Sequence, residues 1–462
     1  MAGSLHGFDH LGRERLAAEV LDNKISYGMI AVALQYRAAP GAPPQTLRLP
    51  KQDNTYYINI HYSEYDNAIY WSEFNYTSGV CSIFRYDIAT GQKTLYRTGP
   101  NKDMDIAFDK FGHIVGVTTL TDRVHTEWTD PYYLKMIKAV EAFFPKALVD
   151  IADITEDGRD IVFVISAPEA PPSYYIYSAR TRDLARIGGA YPELDGRTLA
   201  PMTYVTYKAR DGLDIPAYVT KRRDTPPHAP LIVMPHGGPA MRDLYDFDAW
   251  AQFFASKGYV VLQPQYRGSA GFSDAFERAG DAHLAQMTTD LEDGVHYLEA
   301  QGAVDPRKIC VVGWSWGGYL AQAALAFTPG TYTCGVSGAG ISNLSDSLEH
   351  DNDIWWGGYS SAYWHEVIGR DGAAIRAVSP IEHIDSIRAP LLLIHGRLDD
   401  NVDVRQSQRM YAAMKAAGKD VTYIEIPDMQ HGPDTAEQNL TVLKAMGAFV
   451  AKAFAAADKS AH

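Results

Sequence analysis

The chain has 462 residues, of which 46% are hydrophobic and 21% charged, and these are ordinary values for a globular protein that buries a core. Its length exceeds that of most single domains, so two domains are expected. The formal net charge of −14 argues against nucleic acid and anionic membranes as partners, because either would favour a basic surface.

Residues 1–50 carry no recognisable functional pattern. Residues 11–21 have the spacing of one amphipathic helix, and the Pro- and Gly-rich residues 38–44 have the composition of a linker. Charges and glycine interrupt the first 20 residues, and the apolar stretch 25–34 is too short to span a bilayer. We therefore expect an unassigned N-terminal segment and a cytoplasmic protein.

Residues 51–200 form a region of short aromatic and β-branched runs separated by turn residues. Residues 82–96 predict two strands joined by a glycine-containing turn, and residues 132–144 predict an amphipathic helix. The segment 109–115 is echoed at 156–162, a separation close to the ~45 residues of one four-stranded propeller blade. This region is predicted to be all-β and propeller-like.

A closed propeller does not fit into this region. Seven or eight blades of about 45 residues need well over 300 residues, whereas about 200 precede Thr203. We expect a partial propeller of roughly three blades, either because the protein is short or because the start of a longer chain is missing. An incomplete ring predicts an open active-site crevice, unless a homo-oligomer covers it.

Residues 201–462 alternate strand-like and helix-like segments after an opening hairpin. This alternation predicts a mainly parallel sheet with helices on both faces and reacting groups at the C-terminal ends of strands. Three cysteines, Cys81, Cys310 and Cys334, are too few for a disulfide framework, and we expect buried, reduced thiols.

The most informative stretch is residues 313–317, Gly-Trp-Ser-Trp-Gly, between an apolar run and a helix-like segment. Glycines on both sides of Ser315 permit the sharp strand-to-helix turn that exposes a nucleophilic serine. The alternative is a glycine-rich turn with an incidental serine. A reactive serine needs a histidine base and a carboxylate that orients it, and in α/β-hydrolases these follow in the order acid, histidine.

Both partners are present downstream, each after a predicted strand. Asp399 follows the run 390–394, and His431 follows the run 421–426. Asp400 and Asp403 compete with Asp399 for the role of the acid, and they are expected to be solvated loop carboxylates.

Five ordered motifs resemble the catalytic domain of the prolyl oligopeptidase family of serine peptidases, and most closely its acylaminoacyl-peptidase branch. They are Gly-Trp-Ser-Trp-Gly-Gly-Tyr at 313–319, His-Gly-Arg-Leu-Asp-Asp-Asn-Val at 395–402, His-Gly at 431–432, His-Gly-Gly-Pro at 236–239 and Gln-Tyr-Arg-Gly-Ser-Ala-Gly-Phe at 265–272. The resemblance implies an α/β-hydrolase domain over 201–462 behind an N-terminal β-propeller, with the catalytic residues Ser315, Asp399 and His431.

The same resemblance implies an oxyanion hole formed by the backbone amides of Gly238 and Trp316. Some relatives use a tyrosine hydroxyl where His236 stands, so His236 is expected to position its loop. Arg267 has two interpretations, a group that holds a substrate carbonyl and a buried ion pair that fixes its loop.

An aromatic segment between two predicted strands is the candidate substrate pocket. It contains Trp355, Trp356 and Tyr359, which predict either an apolar specificity site or core packing. The histidines do not form a zinc motif, so neither a metal nor another cofactor is expected.

The predicted activity is hydrolysis of aminoacyl or acylaminoacyl bonds in short peptides through an acyl-enzyme. A carboxylesterase for small esters is the first alternative, because the chemistry is identical and only the pocket differs. A propeller-like binding module with an inactive hydrolase domain is the second.

Overall fold

The computed structural model describes residues 6–8, 13–20, 32–48, 55–75, 78, 80–99, 104–109, 112–155, 157–354 and 359–459. The chain divides into two compact units. Unit 1 is Met1–Gly196 with Gly271–Asp274, and unit 2 is Arg197–Ala270 with Ala275–His462.

Unit 1 contains four antiparallel sheets in which each strand pairs with its neighbour in sequence. The first sheet holds β1 (His6–Phe8), β2 (Glu14–Val20), β3 (Val32–Tyr36) and β4 (Gln45–Arg48); the second holds β5 (Thr55–Ser63), β6 (Ala68–Asn75), β7 (Val80–Asp87) and β8 (Lys93–Gly99). The third holds β9 (Asp105–Phe108), β10 (Ile114–Leu120) and β11 (Val124–Trp128); the fourth holds β12 (Leu148–Ile154), β13 (Asp160–Ala167), β14 (Ala170–Ser178) and β15 (Asp183–Gly189). The all-β prediction is confirmed, with four sheets where three blades were expected.

The additional sheet comes from the N-terminal residues, where the helix prediction over 11–21 is wrong. The residues Glu14–Val20 form β2, which pairs with β1 and β3. Leu16 and Leu34 are buried in one hydrophobic core cluster. Strand pairing and burial therefore override the helical propensity of the segment. The predicted linker at 38–44 is the turn between β3 and β4.

The predicted helix of unit 1 is α1, Pro131–Glu141. The Asp130 side chain caps it by accepting hydrogen bonds from the backbone N–H groups of Tyr132 and Tyr133 at 2.8 and 3.1 Å. Ile137 and Val140 pack on side chains of β10 and β13. The echoed segments at 109–115 and 156–162 each extend into the second strand of a sheet, β10 in one case and β13 in the other.

Unit 2 is built on one eight-stranded sheet with the order β16-β17-β19-β18-β20-β21-β22-β23. The strands are β16 (Met202–Lys208), β17 (Asp214–Thr220), β18 (Ala229–Val233), β19 (Val260–Pro264), β20 (Val304–Trp314), β21 (Cys334–Gly338), β22 (Leu391–Gly396) and β23 (Val421–Ile426). The first two strands are antiparallel and β18 to β23 run parallel. This mixed, mostly parallel order is that of the predicted α/β-hydrolase fold.

Helices cover both faces of this sheet. They are α2 (Ala249–Ser256), α3 (Asp274–Arg278), α4 (Leu284–Ala300), α5 (Trp316–Phe327), α6 (Leu344–Ile354), α7 (Tyr359–Ile368), α8 (Gly372–Ala377), α9 (Arg405–Ala416) and α10 (Ala436–Lys459). Val336 on β21 packs in one core cluster with Phe254 of α2 and Met446 of α10. Its neighbour Gly335 faces the opposite side, where a Cβ would lie 2.7 Å from Leu325 of α5.

The prediction of three reduced cysteines is wrong for two of them. Cys310 of β20 and Cys334 of β21 form a disulfide, whereas Cys81 is a buried free thiol. The two bonded cysteines are direct partners in the register of the two strands. Sequence alone could not reveal this pairing, because it depends on which strands are neighbours.

Helix α10 was not among the sequence predictions. By length and composition it could cross a membrane, since its mean hydropathy is 1.5. In the structure one side of this helix packs on the sheet. Val442, Met446 and Val450 are fully buried in the main core cluster, which is the arrangement of a core helix in an α/β fold.

Candidate active site

Ser315 lies at the sharp turn between β20 and α5. Its backbone has φ 57° and ψ −120°, a region that residues other than glycine rarely occupy and that marks strained functional positions. The Ser315 N–H donates to the Gly338 carbonyl of β21 at 2.8 Å, and the Ser315 carbonyl accepts from the Tyr319 N–H at 3.0 Å. The turn is thus fixed to the sheet on one side and to the helix on the other.

Gly313 and Gly317, two residues before and two residues after Ser315, are required because other backbone atoms pack closely against them. A Cβ at Gly317 would lie 2.2 Å from the carbonyl oxygen of Pro235, and a Cβ at Gly313 would lie 2.1 Å from the carbonyl oxygen of Gly317. Real side chains cannot approach backbone atoms so closely. The Gly-x-Ser-x-Gly pattern is therefore a steric condition for bringing β20, α5 and the loop after β18 together.

Asp399 and His431 meet beside this turn. The Nδ1 atom of His431 lies 2.9 and 3.0 Å from the two carboxylate oxygens of Asp399. The carbonyl oxygen of His431 accepts a hydrogen bond from Nε1 of Trp314 at 2.6 Å, and Trp314 immediately precedes Ser315. The structure thus joins the predicted acid and base and anchors the base to the strand that carries the serine.

The competition among the three carboxylates of this loop is decided by geometry. Asp400 is exposed, and Asp403 makes an ion pair with Arg405. Asp399 is the carboxylate that contacts His431, and its side chain is fully buried.

The carboxylate of Asp399 receives hydrogen bonds from several directions. Its Oδ1 accepts from the backbone N–H groups of Asn401 and Val402, both at 2.9 Å, and His395 lies 3.1 Å from its Oδ2. Burial by itself raises the pKa of Asp399, but the hydrogen bonds from His395 and His431 outweigh it and hold the pKa well below its ordinary value. The carboxylate is therefore ionised throughout the neutral pH range.

The loop after β18 carries the predicted oxyanion groups and lies against the serine. A Cβ at Gly237 would be 3.7 Å from Cβ of Ser315. The next residue, Gly238, has φ 130°, which a residue with a side chain would rarely adopt. Trp316 is the first residue of α5, so its N–H has no acceptor within the helix. Both amides remain predictions for the oxyanion hole.

His236 is a buried part of this loop. Its ring stacks on Tyr266 with centroids 4.4 Å apart, its Nδ1 lies 2.6 Å from the Gly237 carbonyl and its Nε2 lies 2.8 Å from Oγ of Ser269. Burial lowers the pKa of His236 to about 4. These contacts describe a neutral histidine that holds its loop, as a loop histidine bonded to backbone would. A positioning role of His236 towards a substrate stays a prediction.

The motif at 265–272 contacts the same loop. No pattern in the sequence predicts this contact. The Tyr266 hydroxyl donates to the His236 carbonyl at 2.9 Å. The motifs at 236–239 and 265–272 therefore contact each other in the fold. In the sequence, the one sign of this is that both motifs occur in the same chain.

All three guanidinium nitrogens of Arg267 donate to carboxylates. Its Nε and one terminal nitrogen donate to the buried carboxylate of Asp290 at 2.8 and 2.7 Å, and the other terminal nitrogen donates to Asp211 at 2.8 Å. Burial lowers the pKa of Arg267, but the hydrogen bonds that it donates to both carboxylates outweigh this and raise the pKa above its ordinary value. Of the two interpretations, the contacts favour the ion pair that fixes the loop.

The predicted aromatic pocket consists of Trp355, Trp356 and Tyr359. Trp355 and Trp356 lie outside the described residues, and Tyr359 begins α7 without a described side chain. One further aromatic residue, Trp364 of α7, stacks on the indole of Trp316 with centroids 5.5 Å apart. This contact connects α7, which follows the aromatic segment, with Trp316, the residue after Ser315. Trp364 was not among the residues predicted from the sequence.

A cavity of about 250 Å³ lies beside the turn, between the loop after β18 and the end of β20. Its walls include His236, Gly237, Trp314, Asp243 and Trp250. Within the described residues no group of three or more His, Cys, Asp or Glu side chains is arranged to hold a metal ion.

The eight-stranded sheet, the serine at the turn after β20 and the paired aspartate and histidine define an α/β-hydrolase with the arrangement of a serine hydrolase. The sequence model of the prolyl oligopeptidase family matches residues 245–457. Residues 245–457 therefore form a domain of the prolyl oligopeptidase family.

Two relatives extend the similarity beyond the hydrolase unit. Dipeptidyl aminopeptidase BIII of Pseudoxanthomonas mexicana is 31% identical over 381 residues, which are 78% of this chain and 54% of that protein. Dipeptidyl peptidase family member 6 of Caenorhabditis elegans is 25% identical over 423 residues, which are 84% of this chain and 56% of that protein. The chain spans about half the length of these curated relatives.

Solved structures share the fold across both units. A puromycin-hydrolysing peptidase of Mycobacterium tuberculosis has a TM-score of 0.74 at 19% identity and covers 95% of this chain and 68% of its own. The acylaminoacyl peptidase of Pyrococcus horikoshii has a TM-score of 0.69 at 20% identity and covers 94% and 68%. At these identities the likeness concerns the fold alone.

Proposed function

We propose that this chain is a serine peptidase that cleaves aminoacyl or acylaminoacyl bonds of short peptides through an acyl-enzyme on Ser315. The observation that carries the proposal is the bond of His431 to the buried, ionised carboxylate of Asp399, next to a serine held at positive φ. A serine hydroxyl is a weak nucleophile by itself, and this arrangement is the one that activates it.

The roles follow from which atoms are already occupied. Nδ1 of His431 is engaged with Asp399, so Nε2 is the nitrogen that can accept the proton of Ser315. As Oγ of Ser315 bonds to the substrate carbonyl carbon, the proton moves to Nε2 and the ionised Asp399 stabilises the imidazolium. The same proton then passes to the leaving amine as the carbon–nitrogen bond breaks, and water repeats the two steps on the ester.

The negative charge on the tetrahedral oxygen needs donors that are in place before reaction. The Trp316 N–H stands at the N-terminus of the twelve-residue helix α5, where the helix dipole favours negative charge. The Gly238 N–H belongs to the loop that His236 and Tyr266 hold against Ser315. We assign these two amides to the oxyanion hole.

The substrate class rests on the relatives and on the aromatic residues near Ser315. The names of the relatives include a dipeptidyl aminopeptidase and acylamino-acid-releasing enzymes. We propose that the segment with Trp355, Trp356 and Tyr359 contributes to the pocket for the residue before the scissile bond, because α7 after it stacks on Trp316 through Trp364.

A panel of chromogenic substrates tests this proposal. Aminoacyl, dipeptidyl and N-acyl-aminoacyl anilides are compared with short-chain esters, using the wild type and Ser315→Ala. We expect hydrolysis of at least one anilide class that disappears in the variant. Hydrolysis of esters alone would identify a carboxylesterase, and the absence of all Ser315-dependent turnover would identify an inactive binding module.

A further inference from the structure

His395, the first residue of the motif at 395–402, contacts the proposed acid directly. It ends the buried strand β22 with its neighbour Gly396, and its side chain is fully buried. Its Nε2 lies 3.1 Å from Oδ2 of Asp399 and 2.9 Å from the carbonyl oxygen of Val402. Its Nδ1 lies 2.7 Å from Oγ of Ser407.

These partners fix which nitrogen carries a hydrogen. The Val402 carbonyl can only accept hydrogen bonds, so Nε2 of His395 carries the hydrogen and donates it to Val402. The ionised Oδ2 of Asp399 lies 3.1 Å from the same nitrogen and is attracted by this N–H group. In the neutral ring Nδ1 is then an acceptor, and the Ser407 hydroxyl of α9 can supply its hydrogen. His395 therefore presents an N–H to Asp399 in a fixed orientation.

Asp399 is thus held between two imidazole rings. Nδ1 of His431 approaches both of its oxygens, and Nε2 of His395 approaches Oδ2 from the other side. The backbone N–H groups of Asn401 and Val402 complete the set on Oδ1. Removal of the His395 donor would leave part of a buried charge without compensation and would free the carboxylate to rotate.

We propose that His395 is a positioning residue for the hydrolytic reaction, which fixes the Asp399 carboxylate and limits how strongly it attracts the proton on His431. This inference rests on the proposed function of Ser315, Asp399 and His431. His395 acts through Asp399 and does not itself contact the reacting atoms.

The direction of the effect follows from electrostatics. A hydrogen bond to Oδ2 withdraws negative charge from the carboxylate, so its loss leaves more charge facing His431 and stabilises the imidazolium form. Of the other charged groups of the loop, Asp400 is exposed, Arg397 pairs with Glu425, and Asp403 pairs with Arg405. Helix α9 contributes the uncharged Ser407 to this site.

Two amide variants separate the contact with Asp399 from simple filling of the site. The side-chain nitrogen of His395→Gln reaches about as far as Nε2 and can still donate to Asp399. His395→Asn reaches only to about the position of Nδ1, so it can keep Ser407 but not Asp399. Gln252→Leu is the control for lost buried hydrogen bonds, because the Gln252 side chain bonds the backbone N–H and carbonyl of Ala200 at 2.9 and 2.8 Å, in another part of unit 2.

The experiment measures the second-order rate of inactivation by diisopropyl fluorophosphate as a function of pH, with the adduct mapped by mass spectrometry. This reagent needs no knowledge of the substrate. In His395→Asn we expect the plateau rate to fall about tenfold or more and the acidic limb to move to higher pH by about half a unit. His395→Gln should restore most of both, and Gln252→Leu should change neither.

Each outcome is decisive for one of the two proposals. If the wild type forms no adduct on Ser315, the proposed function fails. If the wild type reacts and His395→Asn keeps the wild-type acidic limb within about 0.2 pH units, His395 only fills space and the inference is overturned. If His395→Asn does not fold, Ser407→Ala, which releases the far side of the ring, must shift the same limb for the inference to stand.

Discussion

Two of the buried carboxylates of unit 2, Asp290 and Asp399, look alike in isolation and differ in the side chains that they contact. Asp290 and Asp399 both have fully buried side chains. Asp290 binds the guanidinium of Arg267, which keeps its charge at every accessible pH, whereas Asp399 binds two histidines that can exchange protons. A carboxylate paired with arginine forms a permanent ion pair that holds its loop in place. A carboxylate paired with a histidine can take part in proton transfer.

The comparison predicts opposite consequences of substitution in the two regions. Changes around Asp399 should remove activity and leave folding intact, because the groups there act on each other and on a substrate. Changes around Asp290 should cost stability and leave the chemistry of the folded molecules intact.

The largest expected effect is that of Ser315→Ala. The three residues of a triad work as a unit, so kcat should fall by about 10⁴-fold or more. Thermal unfolding should change little, and Ser256→Ala, at the exposed end of α2, serves as the control with activity within twofold of the wild type. Retention of more than a tenth of the activity would mean that Ser315 is not the nucleophile.

Asp399→Asn should follow closely. The amide can no longer hold His431 in the tautomer that leaves Nε2 free, so we expect a loss of about 10³ to 10⁴ in kcat. Asp400→Asn changes an exposed neighbour in the same way and should cost less than about tenfold. The reverse order of effects in steady-state assays would show that the acid is misassigned.

Arg267→Met tests the structural region. It leaves the buried charge of Asp290 without its partner, so the free energy of unfolding should fall by about 3 to 5 kcal/mol in urea titrations. Arg222→Met breaks the exposed pair with Asp224 and should cost less than about 1 kcal/mol. A stable Arg267→Met protein with a strongly raised KM would instead support the substrate-binding interpretation of Arg267.

The smallest predicted effect concerns pH and His236. Its pKa in the folded protein is about 4, below the ordinary value of about 6.5, so the unfolded chain binds the proton first as the pH falls. Stability is complete above about pH 6.5 and decreases between about 6.5 and 4, by up to about 3 kcal/mol. His236→Gln should flatten this part of the stability profile, and an unchanged slope would show that another group causes it.

The sequence was most informative where steric and chemical demands are local. The glycines of residues 313–317 and the strand ends before Asp399 and His431 predicted the turn, the acid and the base. The choice of Asp399 over Asp400 followed from the family resemblance, and the structure adds the contact with His431.

Features that depend on neighbours distant in sequence could not be predicted. The disulfide between Cys310 and Cys334 depends on the register of two strands. The first sheet of unit 1 contains β2, whose residues favour a helix when read alone. The contact of His395 with Asp399 requires the loop at 396–402 to fold back on the end of its own strand, and no pattern in the sequence indicates that.

The central claim is that Ser315 is a nucleophile activated by His431 and Asp399. The most direct test is to treat the wild type, Ser315→Ala and Asp399→Asn with a fluorophosphonate and to follow adduct formation by intact mass and peptide mapping. We predict one adduct per wild-type chain on Ser315, none in Ser315→Ala, and formation slowed by at least about a hundredfold in Asp399→Asn. An adduct on another residue, or equal rates in the wild type and Asp399→Asn, would contradict the assignment.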